Sequence, residues 1–225
     1  MTFLTSGCDV LGPENQLFQI TMKSLVKVVC LGFTAAQVWV VQSATLAFDD
    51  LATPYDGYEY RAPIVSYGGL QWGNFYVFDV TDSLHYQTSG YPHALVSPRN
   101  VAFNWFGNPA QVSSTTPFDL NSAYLTAAWN DGLQVEVKGF TGASLAYDHT
   151  YTLNTTGPSL INFNYLGVTE VDFIPSGGIP NPAYSGTGSG THFCIDNLTI
   201  NVPEPSSLPL AGLGAAALVI ARRRR

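Results

Sequence analysis

Between Phe48 and Val202, apolar residues recur at every second position or in short solid runs, and nowhere at helical spacing over a normal helix length. The runs are "NFYVFDV" (Asn74 to Val80), "VAFNWF" (Val101 to Phe106), "LQVEVKGF" (Leu133 to Phe140), "SLAYDHTYTL" (Ser144 to Leu153), "SLINFNYL" (Ser159 to Leu166), "VTEVDFI" (Val168 to Ile174) and "HFCIDNLTI" (His192 to Ile200). Their β-branched and aromatic residues suit a pleated, half-buried surface. Turn residues separate them. "NDG" (Asn130 to Gly132) predicts a hairpin joining "AYLTAAW" to "LQVEVKGF", while "TTGP" and "LG" break the later segments. Many short strands with turns about every ten residues predict an antiparallel sandwich or barrel. No internal repeat points to a solenoid or propeller.

Both ends have a different character. "MKSLVKVVCLGFTAAQVWVVQSATLA" (Met22 to Ala47) has Lys23 and Lys27 ahead of an apolar stretch from Val28 to Val41, then small residues. This is the order of a secretory signal peptide, and residues 22–44 are read as one, cut after Ala44 for passage through the Sec translocon. Residues 1–21 are then an upstream segment before the true start at Met22. At the other end, Ser206 to Ala221 is apolar and Arg222, Arg223, Arg224 and Arg225 follow. Sixteen helical residues span about 24 Å, short of the ~20 residues that cross a bilayer comfortably. The arginines act as a cytoplasmic stop by the positive-inside rule, so the tail suits transient insertion in the inner membrane.

Removing the ends leaves one exported domain, residues 45–201, of ordinary single-domain size. Its charge is one-sided. Arg61, Arg99 and Lys138 face thirteen acidic residues between Phe48 and Val202, a formal charge of −10. Such a surface repels phosphate backbones and excludes nucleic acid as a partner. Cys194 is the single cysteine of the domain and reads as a small buried hydrophobe.

The last 24 residues carry a resemblance. Pro203-Glu204-Pro205, a short hydrophobic helix and the terminal arginines resemble the PEP-CTERM sorting signal of Gram-negative bacteria. Pro209 in the apolar run falls in a first helical turn, where proline is tolerated. The resemblance implies recognition and cleavage near Pro203-Glu204-Pro205 by an exosortase, and release at the cell surface or into an exopolysaccharide-rich biofilm matrix. Within the domain, "LAFDDL", "PFDLNSAYLTAAWNDGLQVEVKGF" and "THFCIDNLTI" are similar to exported β-sandwich domains that accompany such tails. That likeness implies a jelly-roll-like, galactose-binding-like antiparallel sandwich, flanked by an N-terminal signal helix and a C-terminal hydrophobic helix. It also implies a structural calcium ion where first and last strands meet, at Asp50 and Asp196. Calcium takes six to eight oxygen ligands, and Asp49 and Asp50 point to opposite faces of a strand, so only one of them can serve.

No catalytic motif is present: no His-Glu-x-x-His, no Gly-x-Ser-x-Gly and no Gly-rich phosphate loop. His85, His93, His149 and His192 are scattered. The candidate ligand contacts are Tyr86 and Tyr91, in the irregular stretch Ser83 to Asn100, whose flat faces can stack on sugar rings. Tyr55, Tyr58 and Tyr60 form a second aromatic cluster, and "GGIPNPAYSGTGSG" (Gly177 to Gly190) a second long loop. Trp72, Trp105 and Trp129 lie in or beside strand patterns and are expected in the core. The sequence therefore predicts a non-catalytic, polysaccharide-binding surface protein. A purely structural or adhesive matrix component and a secreted glycan-active hydrolase are the alternatives.

Overall fold

The computed structural model describes residues 40–204, and the side chains of residues 43–201. Residues 22–39 of the expected signal segment and the expected C-terminal hydrophobic helix lie outside the described residues, while residues 40–44 of that segment are strand. Among the described residues no helix is long and apolar enough to cross a membrane.

Eleven strands form an antiparallel sheet: β1 Val40–Leu46, β2 Arg61–Pro63, β3 Ser66–Tyr67, β4 Leu70–Gly73, β5 Phe75–Asp79, β6 Asn100–Asn104, β7 Ala110–Ala127, β8 Asn130–Thr141, β9 Ser144–Leu153, β10 Ser159–Pro180 and β11 Phe193–Glu204. The main path runs β2-β5-β6-β11-β7-β10-β8-β9, with β1 on β11, and β4 on both β3 and β7. First and last strands pair, from Leu46 opposite Leu198 to Val40 opposite Glu204, but the first strand lies ahead of Phe48, where the sequence reading starts the sandwich. That ladder starts upstream of Ala44, so the compact unit runs from Val40 to Glu204.

Alternation decides the layers. In β8, Leu133, Val135 and Val137 are buried, while Gln134, Glu136 and Lys138 between them keep partial exposure. They join a large core with Leu120, Leu125, Phe163, Phe173 and Phe193. The strands β5, β6 and β11 are buried on both faces. Phe75, Val77, Ala102 and Ile195 enter the large core. Their neighbours Phe78, Val101, Phe103 and Cys194 point the other way, into a second cluster with Tyr91, Ala94, Trp129 and Tyr184. The stretch Ser83 to Asn100 thus forms a lid of ordered loop over the outer face of the sheet.

Two sequence expectations are corrected. Asn130-Asp131-Gly132 is not a hairpin turn. β7 and β8 do not pair with each other; each pairs with β10, and Asn130 already faces Pro180 in that ladder. Gly132, at φ 70°, lies inside the strand. Likewise Leu166-Gly167 does not end a strand. β10 continues through it, with register shifts on both sides of Tyr165 and after Val168, and Gly167 at φ 65° takes up the irregularity.

Candidate ligand-binding cleft

The cleft opens on the lid side of the sheet, has a volume of about 290 Å³, and is lined by Tyr58, Arg61, Tyr86, Tyr91, Phe103, Trp105, Phe106, Trp129, Thr187, Gly188, Ser189 and His192. Its floor is Tyr91, Phe103 and Trp129, all buried. Both predicted contacts, Tyr86 and Tyr91, are brought here, but Tyr91 is 2% exposed and serves as floor.

The first wall is built by a buried carboxylate. Glu59 is fully buried, and its Oε1 accepts from the His85 backbone N–H (2.7 Å) and the Ser83 hydroxyl (3.2 Å), with His85 Nδ1 also 3.2 Å away. Its Oε2 accepts from the Leu84 N–H at 3.0 Å. These bonds compensate the burial of the charge and fix the start of the lid. Tyr58, the preceding residue, stacks on His85 with ring centres 4.0 Å apart. Further along, the Tyr86 carbonyl accepts from the Ser89 hydroxyl (2.5 Å), which itself accepts from the Tyr91 N–H (3.1 Å). The lid is therefore hydrogen-bonded throughout.

The second wall comes from the end of β6, where the structure departs from expectation. The strand stops at Asn104, and Trp105–Gly107 forms a 3-10 turn in which Phe106 sits at φ 55°. Asn74 holds the turn: its Nδ2 donates to the carbonyls of Trp105 (3.1 Å) and Pro109 (2.9 Å). A left-handed conformation is costly for an aromatic residue. Here it turns Phe106 outward, 70% exposed. Trp105, expected in the core, instead lines the cleft. Tyr76 stacks on it at 4.0 Å, and the Arg61 guanidinium lies 4.6 Å from its ring centre. Trp72 and Trp129 are buried as expected.

The third wall is the Gly/Ser loop. Thr187 Oγ1 donates to the Thr88 carbonyl at 3.0 Å, tying this loop to the lid. A Cβ on Gly188 would stand 2.4 Å from the Trp129 ring, so only glycine lets the backbone lie flat against that indole.

The polar groups of the cleft are close to neutral. Arg61 Nε donates to Asp56 Oδ2 at 2.5 Å. Burial pushes the Asp56 carboxyl up, but the backbone N–H of Glu59, Arg61 and the N–H of Tyr58 outweigh it and bring it down to about 2. None of the lining residues is a carboxylate. His192 is pulled down to about 4 by burial, and its Nδ1 has no partner. The unfolded chain, with an ordinary imidazole near 6.5, therefore takes up this proton first as pH falls. The stability His192 contributes is complete above about 6.5 and is lost toward pH 4, by roughly 3 kcal/mol. Denaturant midpoints between pH 7.5 and 4.5 check this: His192→Gln is expected to flatten the acid-side slope relative to the natural chain.

β11 leaves this wall at His192 and ends at Glu204, inside Pro203-Glu204-Pro205; Pro205 and Arg222 to Arg225 lie outside the described residues. Residues 201–225 match the PEP-CTERM protein-sorting motif. The motif implies that this chain is exported and sorted to the cell surface by an exosortase-type system. No curated protein matches it. Among solved structures, it is similar to a DUF4465 family protein from Bacteroides ovatus, at 11% identity over 72% of this chain and 99% of that one, with a TM-score of 0.47. It is also similar to TmCBM61 in complex with β-1,4-galactotriose, at 4% identity over 63% of this chain and 88% of that one, with a TM-score of 0.29.

Asp50 and Asp196, the residues expected to hold calcium, have different partners and different exposure. Asp196 is fully buried, and its two oxygens accept four donors: the N–H groups of Val96 (2.7 Å) and Ser97 (2.9 Å) at Oδ2, the Ser97 hydroxyl (2.9 Å) and the Asn197 N–H (2.7 Å) at Oδ1. Asp50 is exposed and accepts from the Tyr67 hydroxyl at 2.6 Å. Asp49 accepts from the Asn100 N–H at 3.0 Å. Among the described residues no group of three His, Cys, Asp or Glu side chains is placed to hold a metal. With four donors on its two oxygens, Asp196 is a peg for the lid. Sequence reading missed Arg61, Phe106, Gly188 and His192. For Phe106 the available signal was the run Phe106-Gly107-Asn108-Pro109, rich in turn residues, closing an apolar strand.

Proposed function

We propose that this is an exported, non-catalytic glycan-binding protein, with a jelly-roll-like sandwich presenting the aromatic cleft and the C-terminal tail removed by an exosortase-type enzyme after Sec export. The observation that carries the glycan reading is the Trp105-Phe106 corner. An aromatic ring held outward in a left-handed turn, beside a second ring braced by Tyr76, gives two apolar faces at the mouth of a cleft. The apolar C–H face of a pyranose stacks on such rings, and hydroxyls meet the hydroxyls of Thr187 and Ser189 and the imidazole of His192. Preorganised aromatic faces lose little conformational entropy on binding. Without a carboxylate pair in the lining, the cleft offers binding and no acid-base chemistry of the glycosidase kind.

The test is calorimetric titration of the protein with oligosaccharides prepared from the producing organism's extracellular polysaccharide and with a panel of common oligosaccharides. Saturable binding is expected. Trp105→Ala is expected to weaken it about tenfold or more, the ~1.4 kcal/mol scale of one lost aromatic stack. Binding unaffected by Trp105→Ala and Phe106→Ala would move the site elsewhere on the domain.

A further inference from the structure

We infer that the glycan taken by the cleft is uncharged. This rests on the glycan reading and names its chemical class. Recognition of a uronate or sulfate ester needs an available cation, because such groups bind through charge-assisted hydrogen bonds.

Every cation of the described domain is already committed. Arg61, the one at the cleft, gives its Nε to Asp56 at 2.5 Å and lays its guanidinium over Trp105 (4.6 Å) and Tyr58 (5.5 Å). Its side chain is 13% exposed. Arg99 pairs with Asp79 and lies 3.7 Å from Asp82. Lys138 is 3.1 Å from Glu136 and 4.0 Å from Asp148. Arg61, Arg99 and Lys138 are the complete set of basic side chains from Phe48 to Val202, against thirteen acids there. An anionic chain approaching the cleft therefore meets repulsion at long range and no cation free to receive it at contact. A neutral sugar needs only faces for stacking and donors and acceptors for hydroxyls, and the cleft supplies both.

The experiment pairs neutral oligosaccharides (gluco-, galacto-, manno- and xylo-series) with acidic ones of the same length (oligogalacturonate, oligoalginate and sulfated galactan fragments). Each is titrated at low and at physiological salt. At least one neutral series is expected to bind with a Kd that changes less than twofold with salt, while every acidic series binds at least tenfold more weakly at low salt. Asp56→Asn keeps an oxygen for the N–H groups of Tyr58 and Glu59 but frees the charge of Arg61. It is expected to improve acidic binding at low salt while leaving neutral binding within about threefold. Tighter binding of an acidic series by the natural chain, weakening as salt rises, overturns the inference and leaves the glycan reading standing. Binding to neither class overturns both.

Discussion

Gly90→Ala is expected to lower the thermal midpoint by about 10 °C and to abolish binding in the cleft. A Cβ at Gly90 would stand 2.0 Å from the carbonyl oxygen of Ala127 and 3.1 Å from the Ala128 Cα. Both are backbone atoms, so no side chain can swing aside. The Gly90 N–H also donates to the Ala128 carbonyl at 2.8 Å, which locks the two segments at that spacing. Forcing them apart costs about 3 kcal/mol or more, and a kilocalorie shifts the midpoint of a domain this size by roughly 2 to 4 °C. The displaced segments carry Tyr91 and Trp129, two of the three floor residues, so binding fails with stability. Differential scanning calorimetry and the same glycan titration measure both. Gly157→Ala is the control: nothing lies within 4 Å of its Cβ position, and it is expected to be near neutral.

Asp196→Ala is expected to cost about 4 kcal/mol, equally in chelator and in millimolar calcium. The substitution leaves the N–H groups of Val96, Ser97 and Asn197 and one hydroxyl without the buried acceptor they share, at a part-buried site. A buried donor left unpaired costs about 1 to 3 kcal/mol, and partial relaxation reduces the sum. Asp196→Asn should fall between, since one amide oxygen can still accept while the NH2 faces donors. Chemical denaturation in the two buffers is the measurement. A midpoint that rises with calcium in the natural chain, by the mass-action relation for a ligand of the folded state, would restore an ion to this corner.

The core of this fold is written locally, and its pairing is not. Leu133, Val135 and Val137 announce their inward face by alternation alone, because a strand has a side-chain period of two. The error at Asn130-Asp131-Gly132 has the opposite origin. An Asn-Asp-Gly turn signal reports backbone preference over a few residues, whereas the partner of β8 is chosen by burial against β10, thirty to fifty residues away in sequence. Gly167 was misread for a related reason: a glycine that ends a strand and one that takes up a register shift are identical in sequence. In the cleft, Tyr86 and Tyr91 stand out in the sequence because they interrupt a polar, irregular stretch, but the burial of Tyr91 as floor does not. Trp105 and Phe106 were hidden inside an apolar run, and their exposure depends on Asn74, more than thirty residues earlier in the chain.

The course of β11 sets how this protein would carry load. The strand begins next to His192 in the cleft wall and runs twelve residues to Glu204, inside the sorting motif. At ~3.3 Å per residue it spans about 40 Å. If the domain is held at its C-terminal end and a ligand of the proposed kind in the cleft is dragged by flow, the pull runs along this single strand. β7 flanks it on one side, and β6 and then β1 on the other. Tension along the strand axis shears those ladders, so many hydrogen bonds resist together and rupture is slow. The same number of bonds peeled from one end would yield one after another. The C-terminal exit of the domain and the cleft wall are thus two ends of one sheared element, a layout suited to sustained pulling.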